Sequence, residues 1–178
     1  MEFEEKTISS ETVYDGKIIN VRLEKVELQD GRIADRELVG HSGGVGIIAV
    51  DNDGQVFMVS QYRIAARSIM LEIPAGKLEY GEDPLECGKR ELIEDSAEEF
   101  IHLGEYFATP GYCEEKLNIY LARGLKFVGQ KLDDGEFLNV KKYSLDELYQ
   151  MVMDNKIYDA KTAIAILKAY NMRKEVIK

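Results

Sequence analysis

Gly76-Lys-Leu-Glu-Tyr-Gly-Glu82-Asp83-Pro84-Leu85-Glu86-Cys-Gly-Lys-Arg90-Glu91-Leu92-Ile-Glu94-Asp95 is the stretch whose reading decides the fold. It leaves a glycine turn and enters a helix through a strong start signal. Asp83 suits the N-cap, Pro84 the first helical position, and Glu86 the acid of a capping box. Glu91, Glu94 and Asp95 then stand at i, i+3 and i+4, which on a continuous helix sets their Cβ atoms roughly 5–6 Å apart. Like charges that close repel one another unless a cation sits between them. A hard divalent ion, Mg²⁺ or in its place Mn²⁺, takes carboxylate oxygens and leaves room for waters and a phosphate. The competing reading is a solvated acidic helix face. Agreement between cap, spacing and flanking turn favours the metal. Leu85 and Leu92 fall on the opposite face and should anchor the helix in the core.

The rest of the chain narrows the possibilities. Its 178 residues suffice for one domain with a substantial core and a small additional sheet. A formal net charge of −10 argues against non-specific binding to nucleic acid or an anionic membrane. An acidic chain still binds a polyanionic small molecule where metal ions supply local positive charge. The two cysteines, Cys87 and Cys113, have no metal-ligand spacing, and so few fit a reducing cytoplasm better than a disulfide scaffold. The acidic first residues lack the layout of a signal peptide, and no apolar run reaches transmembrane length. His41 and His102 belong to no histidine cluster and read as structural or surface residues.

Residues 7–40 read as strands, with Asp15-Gly16 and Asp30-Gly31 as hairpin turns, and form a small antiparallel sheet ahead of the main domain. A boundary is expected near residues 41–44. Strands follow at 46–50, 56–62, 70–73, 103–108, 117–122 and 137–140. Amphipathic helices are expected at 145–155 and 160–172, started by Ser144 and Asp159. Helices laid against strands without regular βαβ alternation indicate an α+β layered fold.

The opening stretch resembles the Nudix box, G-x5-E-x7-R-E-U-x-E-E-x-G-U, with U a bulky apolar residue. Gly76, Glu82, Arg90, Glu91, Leu92 and Glu94 fall on its defined positions. Asp95 stands in for a glutamate, Ala97 for the glycine, and Glu98 where an apolar residue is usual. Outside the box the chain resembles the ADP-ribose pyrophosphatase branch. That likeness is carried by Gln61-Tyr-Arg63, residues 71–79, Pro110-Gly111 followed by Glu115, and Asp159-Ala-Lys-Thr162.

The resemblance implies a Nudix-like α/β/α sandwich with a mixed sheet, residues 43–178 forming the hydrolase domain. Residues 1–42 would be a β-rich segment for dimerisation and substrate binding, its sheet swapped across a homodimer. It implies Mg²⁺ held by Glu91, Glu94, Asp95 and the Ala75 carbonyl, with Arg90 orienting the acids. Glu115 would act on the attacking water, with Glu114 a near competitor. Arg63 would hold diphosphate or ribose-phosphate oxygens, while Arg36 and Glu37 match positions near the adenine and ribose. The activity implied is hydrolysis of ADP-ribose, or a related nucleoside diphosphate sugar, to AMP and ribose 5-phosphate. Other nucleotide-sugar or dinucleotide substrates, or a domain that binds a nucleotide without cutting it, are the alternatives. Ala97 also leaves open a helix that continues past it, bringing Glu98 onto the acidic face.

Overall fold

The computed structural model describes residues 4–92, 95–127 and 138–173. They divide into two compact units: Met1–Gly43 with Tyr106–Lys116, and Gly44–Glu105 with Leu117–Lys178.

In the first unit, β1 (Lys6–Asp15), β2 (Ile19–Glu27) and β3 (Ile33–His41) form an antiparallel meander. Gly31 takes φ +81° in the second turn, a conformation that favours glycine over any L side chain. The register of β1 on β2 shifts between Thr7 and Ser9 and again between Thr12 and Tyr14. Residues 112–114 run beside β3: the Val39 amide donates to the Tyr112 carbonyl (2.7 Å), and the Glu114 amide to the Val39 carbonyl (2.9 Å).

The second unit begins with β4 (Gly44–Val50), β5 (Gln55–Arg63), β6 (Ser68–Glu72) and β7 (Ala75–Lys77), which lead into α1 (Pro84–Glu91). After it come β8 (Asp95–Ser96), β9 (Glu99–Phe107), β10 (Lys116–Arg123), β11 (Lys126–Phe127) and β12 (Leu138–Ser144), then α2 (Leu145–Met153) and α3 (Ala160–Asn171). The main sheet runs β12-β5-β4-β10-β9, with β6 added on β5 and β7 on β4. It is mixed, since β4 and β10 are parallel while β4 pairs antiparallel with β5 and β7.

β4 is buried along its whole length, so its alternating side chains serve two opposite faces. Val45, Ile47 and Ala49 join Leu78, Cys87, Leu92, Tyr120, Ala122 and Leu125 in one core cluster under α1. Gly88 of α1 faces this cluster: a Cβ there would lie in ordinary contact, 3.4 Å from Val45 Cγ1. On the other face, a Cβ at Gly46 would meet Ile73 Cδ1 at 2.9 Å and the Lys161 stem at 3.7 Å, so α3 covers that side. Tyr149 of α2 stacks on Tyr170 of α3 at 3.8 Å. Within the second unit, helix, mixed sheet and helix form the layered α+β sandwich expected, and the first unit holds the small antiparallel sheet. No helix among the described residues is long and apolar enough to cross a membrane.

Two local expectations are corrected. The capping box forms only by half: Asp83 accepts from the amides of Leu85 (2.9 Å) and Glu86 (3.3 Å), while the Glu86 carboxylate takes Lys89 at 2.7 Å. The second correction concerns the end of α1. Leu92 caps the helix at φ −95°, ψ 19°, and the next described residues, Asp95 and Ser96, are a strand. Asp95 and Ser96 pair with Phe127 and Lys126, the Glu98 amide donates to the Arg123 carbonyl (2.9 Å), and Ala97 packs on the core cluster. Asp95 therefore does not stand on the α1 face at i+4 from Glu91, and the helix does not continue to carry Glu98. Glu94 lies outside the described residues, as does Phe137, expected in the last strand.

Candidate active site

The site in the second unit is built where β7 meets the end of α1. β7 pairs antiparallel with β4, Val45 opposite Gly76 and Gly46 opposite Ala75. The Glu91 carboxylate occupies the space that any side chain at Gly76 would need. A Cβ built there falls 2.0 Å from Glu91 Cδ and 2.1 Å from Oε1. Glycine at position 76 is thus a packing requirement of the acid that follows it fifteen residues later in sequence.

Arg90 ties the segment together. Its Nε donates to Glu82 Oε1 (3.0 Å), Nη1 to Glu91 Oε1 (2.7 Å), and Nη2 to Glu82 Oε2 (3.1 Å) and the Lys77 carbonyl (3.2 Å). Glu82 also accepts from the Glu79 amide at 2.9 Å, so one arginine fixes both the loop and the first acid. The Arg90 hydrogen bond holds the Glu82 carboxyl below its ordinary pKa, and Glu82 raises that of Arg90 in return. Arg90 stays cationic. Burial, and then the Glu82 charge, push the Cys87 thiol up to about 11. A neutral thiol beside the Lys77 carbonyl is no rival ligand for a hard ion.

The donors at this corner, Glu91 and the backbone of residues 75–77, are oxygens, as a hard divalent cation requires. Among the described residues no three His, Cys, Asp or Glu side chains converge as a metal cluster.

Beside this corner in the same unit is a buried ionic group that the sequence reading missed. Glu72, 2% exposed, accepts Arg63 bidentately (Nε 2.7 Å, Nη2 2.8 Å) and Lys161 Nζ at 2.7 Å. Burial alone would raise the Glu72 pKa, but the hydrogen bonds and charges of Arg63 and Lys161 outweigh it and bring it below the ordinary value. The signal was an acid set between Leu71 and Ile73 in an apolar strand, which demands a cationic partner.

The other expected residues lie in the first unit. Arg36 pairs with Glu5 through Nε (2.8 Å) and Nη2 (2.5 Å), and Glu37 stands opposite Leu23 on β2. Glu114 is engaged by Arg22 at 2.6 Å. Glu115 Oε1 approaches His41 Nδ1 to 3.7 Å, but that nitrogen already accepts the Gly43 amide at 2.9 Å. In the neutral ring the proton is therefore on Nε2, and His41 and Glu115 form no ion pair in that state.

Compared with known proteins, the chain matches the NUDIX domain over residues 40–164 and the nucleoside diphosphate sugar hydrolase N-terminal domain over residues 5–39. It belongs to the Nudix family. An ADP-ribose pyrophosphatase of Bacillus subtilis (strain 168) is 39% identical to this Nudix chain, covering 92% of it and 91% of the relative. A methanol dehydrogenase activator of Bacillus methanolicus is 40% identical over the same shares. A crystal structure described as an ADP compounds hydrolase superposes with a TM-score of 0.84, covering 98% of this chain and 97% of the other, at 20% identity. That last likeness concerns the fold.

Proposed function

We propose that the chain hydrolyses the pyrophosphate bond of ADP-ribose, or of a related nucleoside diphosphate sugar, to AMP and ribose 5-phosphate. The observation that carries this reading is the Gly76–Glu91 packing with Arg90 bridging Glu82 and Glu91, which forms the Nudix box around an oxygen-donor corner. Relatives named ADP-ribose pyrophosphatase, at 39% and 40% identity, support the substrate.

Glu91 and the Ala75 carbonyl would hold Mg²⁺, or Mn²⁺, with Glu94 and Asp95 contributing from the segment that follows α1. The ion, when bound, neutralises charge on the non-bridging phosphate oxygens. Arg90 keeps Glu91 turned toward Gly76, and Arg63 meets the diphosphate. Glu115 accepts the proton of the attacking water; Glu114 is the weaker choice because Arg22 already occupies it. Arg36 and Glu37 are assigned to the adenosine end.

A homodimer with exchanged N-terminal sheets is supported by the apolar surface of the first unit, where Ile8, Tyr14, Leu23 and Ile33 are 43–56% exposed. Light scattering tests it. Two free cysteines support a cytoplasmic location.

One observation favours a second reading, binding without turnover: α1 ends at Glu91, and Asp95 is in β8. Phosphate-coupled assays on ADP-ribose, sugar nucleotides, dinucleotides and nucleoside triphosphates, with Mg²⁺ and against Glu91→Gln, separate the two. Turnover of ADP-ribose lost in the variant supports hydrolysis. Tight ADP-ribose binding with no wild-type turnover supports the binding domain.

A further inference from the structure

We infer that Lys161, in the first turn of α3, is a positioning residue that sets through Glu72 how Arg63 meets the diphosphate; this rests on the hydrolase reading above. Three side chains of graded exposure meet, with Glu72 bonded to both of the others. Glu72 is 2% exposed, Lys161 13% and Arg63 42%. Only the arginine is open enough to touch a ligand.

Glu72 Oε2 is shared between Arg63 Nη2 (2.8 Å) and Lys161 Nζ (2.7 Å), while Oε1 takes Arg63 Nε (2.7 Å). Two contacts on one guanidinium edge fix its plane. The plane is therefore set by where Oε2 sits, and Oε2 is drawn toward Lys161. Lys161 in turn is held by Asp159 at 2.9 Å. Asp159 is the N-cap of α3 and accepts the Thr162 amide at 3.0 Å.

The same helical turn reaches a second element of the site. The Ile73 amide donates to Thr162 Oγ1 at 2.9 Å, two residues before Ala75, and Thr162 Oγ1 donates to Asp159. The Lys161 stem packs over Gly46, the residue paired with Ala75. Asp159-Ala-Lys-Thr162 thus braces the arginine and the approach to the metal corner from one helix end. With two cations and two anions the group is neutral. Removing the Lys161 charge leaves Glu72 compensated by Arg63 alone and draws the guanidinium further onto it.

The test is a cycle of wild type, Lys161→Met, Arg63→Met and the double variant, assayed with ADP-ribose and Mg²⁺. Methionine retains the apolar stem over Gly46. Lys161→Met is expected to raise KM about tenfold with kcat little changed, and to add almost nothing once Arg63 is gone. Lys161→Arg should restore KM. An equal KM rise in both backgrounds, or a lowered melting temperature with KM unchanged, overturns the inference. If Arg63→Met leaves KM unaltered, the assignment of Arg63 fails and takes this inference with it. If the wild type shows no turnover, the hydrolase reading fails, and the same cycle in ADP-ribose Kd by calorimetry decides between the same outcomes. Asp159→Asn, which keeps a capping oxygen and loosens Lys161, replaces Lys161→Met should that variant not fold.

Discussion

Replacing Gly76 with alanine should separate activity from stability. The added Cβ would lie 2.0 Å from Glu91 Cδ, 2.1 Å from Oε1 and 2.3 Å from Cγ. Ordinary carbon contacts lie near 3.5–4.0 Å, so the carboxylate must retreat by roughly 1.5 Å. Magnesium binds oxygens within a narrow range near 2.0–2.1 Å, so the displaced acid ceases to be a ligand in place. Misplacement on the scale of an ångström costs about a hundredfold in rate, equivalent to about 2.7 kcal/mol. The fold should tolerate the change. Gly76 is not among the positive-φ glycines, and what must move is the end of a flexible side chain. Alanine at a compatible backbone position gains about 0.4–1 kcal/mol through the unfolded chain, which offsets part of the cost of moving Glu91. We expect kcat/KM with ADP-ribose and saturating Mg²⁺ to fall about a hundredfold. The melting temperature should stay within about 4 °C, the shift that 1 kcal/mol produces in a chain of this size. Wild-type kcat/KM in Gly76→Ala would refute the reasoning, and so would a loss of activity accompanied by unfolding.

Three further outcomes are expected. Glu115→Gln should lose about 10²–10⁴-fold in kcat, as for removal of a general base, whereas Glu114→Gln should lose under about 1 kcal/mol of stability from its exposed pair with Arg22; comparable kcat losses in both would leave the base unassigned to Glu115. A thiol reagent near neutral pH should label Cys113 in the native protein and Cys87 only after denaturation, because Cys87 is buried and its pKa stands at about 11; rapid labelling of both would contradict the packing under α1. Glu72 has a folded pKa below its ordinary value, so its contribution to stability is present above the ordinary carboxyl range and is lost as pH falls through the folded value. Melting curves of wild type and Glu72→Gln should therefore differ at pH 7 and converge in acid; a constant difference would oppose that.

How far the sequence could be read depended on whether a feature is local. The start of α1 was legible because Asp83, Pro84 and the following amides lie within one turn. The N-caps Ser144 and Asp159 were legible for the same reason. The end of α1 was not, because it is set by pairing of Asp95 and Ser96 with residues some thirty positions later. The register shifts in β1 similarly break the alternation that marks a strand. Arg63 was singled out, but its buried partner and the lysine that shares it are joined across nine and eighty-nine residues, respectively. Spacing carries no trace of the latter contact.

Phosphorus NMR of ADP-ribose incubated with the protein and Mg²⁺ in oxygen-18 water tests the central claim most directly. The account predicts that the pyrophosphate signals give way to AMP and ribose 5-phosphate, one of them carrying the label, and that Glu91→Gln abolishes the change. Intact ADP-ribose with either Mg²⁺ or Mn²⁺, or equal conversion by Glu91→Gln, would contradict it.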